Sequence, residues 1–144
     1  MNRLKFVALS LLAVITLQGD LASIKSEGNL EKRARLAIEN AENALKNAQS
    51  EYDKGAVNGA AAAISEMRES IEVAHASLAG TGKNPVRNPK HFKNAELKSR
   101  ALLKRLDNFE QSMDFEDRKS VEPAKVRIQE IHDEWLLGIM GHKK

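Results

Sequence analysis

The spacing of apolar residues constrains the fold of this chain more than any other feature of its sequence. Between Leu30 and Ile139, apolar residues recur at steps of three and four, which places them on one face of an α-helix. Four such stripes predict four amphipathic helices. Their members are Leu30, Ala34, Ala37, Ile38, Ala41, Ala44, Leu45, Ala48 and Tyr52; Val57, Ala60, Ile64, Met67, Ile71, Ala74 and Leu78; Phe92, Ala95, Leu102, Leu103, Leu106, Phe109 and Met113; and Ala124, Ile128, Ile131, Trp135 and Ile139.

Capping and helix-breaking residues indicate where these helices begin and end. Asn29 is suited to cap the first helix, and Gly55 is suited to end it. Pro123 fits the first turn of the fourth helix, where its missing N–H group costs nothing. A short turn at Gly55 makes the first two helices antiparallel neighbours.

The stripes and their boundaries together predict an all-α, antiparallel four-helix bundle built from two helical hairpins and preceded by a signal peptide. The bundle domain is expected over residues 23–144. The first hairpin covers residues 29–79 and the second covers residues 92–140. A connector rich in Gly, Pro and Asn, residues 80–91, lies between them.

The composition supports an all-α fold and excludes several kinds of site. Only 4% of the 144 residues are aromatic, whereas strands are enriched in aromatic and β-branched side chains. The chain contains no cysteine, which excludes disulfides, a thiol nucleophile and thiolate zinc sites. The packing of the four stripes must therefore supply the stability of the fold.

The first 22 residues have the pattern of a secretory signal peptide. Arg3 and Lys5 form a short basic region, residues 6–17 are an uncharged apolar run, and residues 18–20 are polar. The apolar run has about a dozen residues, whereas a helix that spans a bilayer needs about 20. We therefore predict a leader at residues 1–22 that is removed, leaving no transmembrane anchor; its cleavage site is not sharply marked.

Removal of the leader would lower the formal net charge of the chain, which is +3 with the leader present. Arg3, Lys5 and Asp20 would be lost, leaving 21 basic and 19 acidic side chains. Such a balanced chain lacks the overall basic character of a nucleic-acid-binding protein, so no nucleic-acid partner is predicted. The leader instead predicts a periplasmic or secreted protein, and a cysteine-free helical domain fits that location.

The two hairpins also align with each other when the chain is displaced by 64 residues. Apolar positions coincide along both hairpins, and the turns are expected at the same register. Three charged pairs add information beyond amphipathic periodicity: Asp53 with Asp117, Lys54 with Arg118, and Glu66 with Glu130. Duplication of one αα-hairpin and simple similarity of two amphipathic hairpins both account for this pattern.

No sequence motif in the chain indicates catalysis or a metal centre. The stretch from Gly80 to Asn84 follows a helix instead of a strand and precedes prolines instead of a helix N-terminus, so it is not interpreted as a phosphate-binding loop. The four histidines never occur at the spacing that places two on one helical face. We predict no catalytic residue, no metal ligand and no cofactor.

The polar residues near the fourth stripe are interpreted as solvated. Glu130 and Glu134 share a helical face, which His132 does not join because it points in a different direction around the helix. His75 is adjacent to the stripe residue Ala74 and is expected at the boundary of the core.

A haem- or metal-binding periplasmic four-helix bundle is the alternative prediction. Facing helices would have to provide Met and His ligands, and the first helix contains neither residue. Met67 with His132, or His75 with Met140, would be the ligand pairs. Nothing in the sequence selects one of these pairs.

The strongest charge asymmetry lies between Lys83 and Arg105, where eight basic residues accompany a single acid, Glu96. In one interpretation these residues bind an anionic partner. In the other, which we favour for the segment as a whole, acids on the neighbouring helices neutralise them. These acids are Glu66, Glu69 and Glu72 on the second helix, and Glu122, Glu130, Asp133 and Glu134 on the fourth.

The connector and the start of the third helix provide the candidate binding residues. They are Lys83, Arg87, Lys90 and Lys93, and no acidic neighbours are assigned to the three residues of the connector. We therefore predict an exported, non-enzymatic scaffold or binding module of the cell envelope. Its partner would be an envelope protein or an anionic envelope component, and the Ala-rich first hairpin makes a homodimer an additional prediction.

Overall fold

The computed structural model describes residues 20–141, which form helices and no strand. Four long helices pack against one another, so the predicted all-helical fold is confirmed. A 3₁₀-helix connects the last two of them. The helices are α1 (Leu30–Asp53), α2 (Val57–Gly80), α3 (Lys90–Ser112) and α4 (Glu122–Met140), and the 3₁₀-helix is Phe115–Ser120.

The helix ends follow from local backbone chemistry. The Asn29 side chain accepts a hydrogen bond from the Lys32 amide at 3.0 Å, which confirms Asn29 as the cap of α1. Gly55 follows α1 with φ of 81°, a left-handed conformation that side-chain-bearing residues rarely adopt. The predicted stop at Gly55 is therefore confirmed.

The four apolar stripes form one core. Leu45, Ile71, Leu106 and Ile128 are each completely buried, and Trp135 is 4% exposed. In α1 and the first half of α2, alanines provide much of the buried surface and let the two helices approach closely. They are Ala34, Ala37, Ala41, Ala44, Ala48, Ala60 and Ala63.

Val57 departs from this pattern. The sequence places it at the start of the second stripe, but its side chain is 39% exposed. It is the first residue of α2, and the neighbouring residues Lys54, Gly55 and Asn58 are exposed as well. The prediction of a buried Val57 is wrong.

The helices meet in a ring in which α1 contacts α2 and α3, while α4 contacts α2 and α3. The contact between α1 and α2 is the most extensive. His91 near the start of α3 lies beside Glu31 near the start of α1, and Phe109 near the end of α3 lies beside Tyr52 near the end of α1. Helices α1 and α3 therefore run in the same direction.

The turn between α3 and α4 differs from the predicted register. Helix α3 ends at Ser112, before Asp117, the residue that aligns with Asp53 at the end of α1. The Tyr52 hydroxyl donates a hydrogen bond to Asp117 and accepts one from the Asp114 amide, each at 2.9 Å. These bonds fix the 3₁₀-helix beside α1, so the expectation that both hairpins turn at the same register is wrong.

A helical segment at residues 20–25 precedes α1 and packs against it and α2. Leu21 is 4% exposed, and Lys25 forms an ion pair of 2.5 Å with Glu69 of α2. Arg33 of α1 donates a hydrogen bond to the Lys25 carbonyl at 3.2 Å. This segment crosses the predicted end of the leader at residue 22.

The rest of the predicted leader, residues 1–19, and the C-terminal residues 142–144 lie outside the described part of the chain. Among the helices within residues 20–141, none combines the length and the apolar character needed to cross a membrane.

Candidate functional site

The connector between α2 and α3 is held in a defined conformation by its own polar side chains. The Thr81 hydroxyl donates to the Leu78 carbonyl and accepts from the Lys83 amide. The Asn84 side chain accepts from the Val86 amide at 2.8 Å, and the Asn84 carbonyl accepts from the amide four residues later. This Asn-initiated turn fixes the positions of the connector's basic residues.

An open cavity of about 450 Å³ lies between the connector, α1 and the first turn of α3. Leu78 and Phe92 provide apolar lining, and the polar lining comes mainly from charged side chains. We call this cavity the connector pocket. Its charged or ionisable lining residues are Glu31, Lys83, Lys90, His91 and Lys93.

Glu31 of α1 is the carboxylate of the connector pocket. One of its oxygens bonds to the Lys83 ammonium group and the other to His91 Nε2. The hydrogen bond from Lys83, together with the charges of His91 and Lys90, holds the pKa of Glu31 below its ordinary value of 4.5. Glu31 therefore stays ionised at neutral pH and links the connector to both α1 and α3.

The structure brings together three of the four predicted binding residues. Lys83, Lys90 and Lys93 line the connector pocket, whereas Arg87 lies outside its lining on the exposed connector turn. Lys83 is paired with Glu31, so the expectation that it has no acidic neighbour is wrong. Among residues 20–141, no carboxylate lies within ion-pair distance of Arg87, Lys90 or Lys93.

Ion pairs of the basic segment do not follow the predicted pattern. Lys83 and Lys98 pair with Glu31 and Glu42, both of which lie on α1. Arg100 pairs with Glu96 of its own helix. The expected neutralisation by acids of α2 and α4 is therefore wrong for these three basic residues, because α1, which starts at the same end as α3, lies alongside it.

Several acids of α2 and α4 have other partners. Glu72 of α2 pairs with Arg127 of α4, and Glu134 of α4 pairs with His75 of α2. These cross-helix contacts connect α2 to α4. His75 lies at the core boundary, as predicted, with its ring centroid 6.2 Å from that of Trp135.

A second polar cluster lies between α3 and α4. His132 is 7% exposed and Glu96 is 5% exposed, and His132 Nε2 lies 3.1 Å from Glu96 Oε1. Arg100 donates to the same carboxylate. The interpretation of His132 as a solvated residue is wrong, because α3 covers its side of α4 and supplies a carboxylate partner.

Pairing with Arg100 and His132 controls the ionisation of Glu96. Burial alone would raise its pKa, but the hydrogen bonds and charges of Arg100 and His132 together outweigh burial and place the pKa below 4.5. Because the folded-state pKa is depressed, Glu96 contributes stability above pH 4.5, and this contribution is lost as the pH falls through the folded-state value.

We therefore expect the free energy of unfolding to fall more steeply with acidification in the wild-type protein than in Glu96→Gln below pH 4.5. Urea unfolding at a series of pH values measures this difference. Glu116→Gln is the control, because the Glu116 side chain is 77% exposed. Parallel pH profiles for Glu96→Gln and the wild type would contradict the assignment.

The histidines considered as haem or metal ligands face carboxylates. His75 Nε2 lies 2.6 Å from Glu134 Oε2, and Met140, its proposed partner, is 60% exposed. Met67, the proposed partner of His132, is completely buried. A haem iron or metal ion would have to compete with these carboxylate contacts. A visible spectrum and metal analysis of protein purified from its native compartment test this alternative.

Within residues 20–141, no three His, Asp or Glu side chains cluster in a way that could hold a metal ion. The strongest candidate for a binding site is the connector pocket, where lysines of the connector and of α3 lie beside an apolar surface. Its chemistry is suited to binding a carboxylate, phosphate or sulfate group.

Sequence reasoning found the basic residues of this pocket but missed Glu31 and His91. Glu31 lies in the first turn of α1 and is far from Lys83 in sequence. The two residues meet because α1 and α2 run antiparallel, which places the end of α2 beside the start of α1. His91 joins them because α3 starts at the same end as α1. Comparisons of the chain with protein-family models, with curated proteins and with solved structures gave no match.

Proposed function

We propose that this chain is an exported, non-enzymatic binding module of the cell envelope whose connector pocket holds an anionic group of its partner. One observation carries the proposal: Lys83, Lys90 and Lys93 converge on a single cavity of about 450 Å³. The pocket's carboxylate, Glu31, is already engaged by Lys83 and His91. The other two lysines are available to a ligand.

Electrostatics at the start of α3 support this assignment. The first turn of α3 contains no acidic residue and no side-chain cap. Its backbone N–H groups and the positive end of the helix dipole therefore add to the charges of Lys90 and Lys93. These contributions all favour an anion at the same position.

The fold supports a role as a rigid module. In this proposal, two antiparallel helical hairpins pack side by side as a four-helix bundle, with the pocket at the end where α2 leads into α3. The predicted leader would direct the module to the periplasm or the exterior. There it would bind an anionic envelope component or an acidic region of an envelope protein.

Retention on immobilised heparin at low salt tests the proposal with a defined polyanion. We expect the full chain to be retained and the Lys83/Arg87/Lys90→Ser variant to elute with the void volume. The matched control is Lys46/Arg68/Lys104→Ser, which removes the same charges from exposed positions outside the connector. Equal loss of retention in both variants would show that net charge, and not the connector, determines binding.

The Glu31→Gln substitution should strengthen retention on heparin instead of weakening it. It removes the carboxylate that holds Lys83 and competes with an anionic ligand. We expect this variant to elute from heparin at a higher salt concentration than the wild type. Elution at a lower concentration would contradict the role of Glu31 as a competitor in the pocket.

A further inference from the structure

Three exposed aliphatic side chains lie at the same end of the molecule as the connector pocket. Val86 is 54% exposed, Leu137 is 46% exposed and Met140 is 60% exposed. Leu137 and Met140 are three residues apart on α4 and therefore share a side of this helix. Val86 occupies the connector turn.

Close backbone packing brings the connector turn to the last turn of α4. A Cβ atom at Gly138 would lie 3.2 Å from Pro85 Cγ, and one at Gly141 would lie 3.4 Å from Val86 Cγ2. Val86 therefore lies beside the part of α4 that carries Leu137 and Met140. The three side chains mark one apolar region formed by two segments.

Two exposed basic residues lie at the same end of the molecule as this apolar region. Arg87 directly follows Val86, is exposed, and has no carboxylate within ion-pair distance in the described chain. Lys90 is exposed at the beginning of α3. We define the connector face as Val86, Leu137 and Met140 together with Arg87 and Lys90.

Residues of the connector face fit a lipid surface better than a protein partner. Protein interfaces depend strongly on aromatic anchors that enter pockets, and the apolar residues of this face are all aliphatic. Aliphatic side chains bordered by Lys and Arg match the boundary between acyl chains and anionic headgroups. The positive charges of Arg87 and Lys90 complement the negative headgroups, so an anionic bilayer is the partner that best fits this face.

We propose that the connector face docks on an anionic lipid bilayer, with Val86, Leu137 and Met140 inserting beneath the headgroups while Arg87 and Lys90 contact lipid phosphates. The inference rests on the proposed function, because it names the source of the anion that the connector end binds. In this arrangement the connector pocket, which Lys90 also lines, opens beside the headgroups and accepts one of their phosphates.

The size of the expected loss of vesicle binding follows from typical free energies of membrane binding. Each basic residue near an anionic membrane surface strengthens binding by about fivefold. Loss of Arg87 and Lys90 in the Lys83/Arg87/Lys90→Ser variant should therefore weaken binding by about 25-fold. Replacing the three apolar side chains with Ser removes several methyl and methylene groups that insertion would bury in the bilayer, and should weaken binding by at least about tenfold.

Sedimentation with lipid vesicles tests the inference on the full chain. The vesicles contain either phosphatidylcholine alone or phosphatidylcholine mixed with phosphatidylglycerol. The decisive variant is Val86/Leu137/Met140→Ser, and its matched control is Val57/Leu97/Val126→Ser, which alters three exposed aliphatic residues elsewhere. All proteins share residues 1–19, so differences between them report only the substitutions, and circular dichroism confirms that each variant is folded.

We expect wild-type protein and the control to bind the phosphatidylglycerol vesicles, and the Val86/Leu137/Met140→Ser variant to lose binding while keeping its retention on heparin. Equal vesicle binding by this variant and the wild type would overturn the inference. Wild-type protein that is retained on heparin but binds no vesicles would also overturn it, while leaving the proposed anionic partner intact. If the Lys83/Arg87/Lys90→Ser variant kept both its retention on heparin and its binding to vesicles, both proposals would be overturned.

Discussion

Replacing Trp135 with alanine is expected to lower the free energy of unfolding by about 3–5 kcal/mol. Trp135 is 4% exposed in α4, and its ring meets that of His75 in α2. Its removal would leave a cavity where α4 packs against α2. Since small domains have a total stability of about 5–15 kcal/mol, this single change would remove much of it.

Urea unfolding followed by circular dichroism measures this loss. The control is Leu97→Ala, because Leu97 is 57% exposed and a surface substitution typically changes stability by less than about 0.5 kcal/mol. A loss below about 1 kcal/mol in Trp135→Ala would contradict the packing described here, since a buried Trp normally contributes far more.

Replacing Ala41 with leucine should lower the free energy of unfolding by about 1–3 kcal/mol, although leucine is a good helix former. Ala41 is completely buried in α1, within the alanine-rich surface that lets α1 approach α2. A larger side chain would force the two helices apart. Thermal unfolding of the two proteins measures the effect as a lower Tm in the variant.

Ala62→Leu is the matched control for this substitution. Ala62 is exposed in α2, so leucine at this position has room in solvent and should leave the Tm nearly unchanged. Similar Tm values for Ala41→Leu and Ala62→Leu would contradict the close approach of α1 and α2.

The helices and their buried faces were predictable because they depend on local periodicity. Ile71, Leu106 and Ile128 each recur at helical spacing, and burial of one face of every helix requires helix-on-helix packing. The cap at Asn29 was predictable for the same local reason. Its side chain bonds to a backbone amide three residues away.

Polar contacts between helices were less predictable, because they depend on which helices become neighbours. Glu96 and His132 are separated by 36 residues, and their burial as a pair follows from the packing of α3 against α4. Lys83 and Glu31 are separated by 52 residues. Charge counts along the sequence found the basic residue of this second pair but could not identify its partner.

Two short segments escaped prediction because they lack helical periodicity of their own. The 3₁₀-helix Phe115–Ser120 contains no buried residue, and its position depends on hydrogen bonds with Tyr52. The segment at residues 20–25 contributes Leu21 to the buried residues. Residues 20–22 follow closely after the apolar run and the polar residues that predict a leader, so sequence reasoning placed the first part of this segment in that leader.

Anion binding at the connector end can be measured by lysine acetylation with and without heparin, followed by mass spectrometry. We expect heparin to protect Lys83, Lys90 and Lys93, while Lys46 and Lys104, which are exposed elsewhere on the helices, react as before. Equal protection of all five lysines, or protection confined to Lys46 and Lys104, would contradict it.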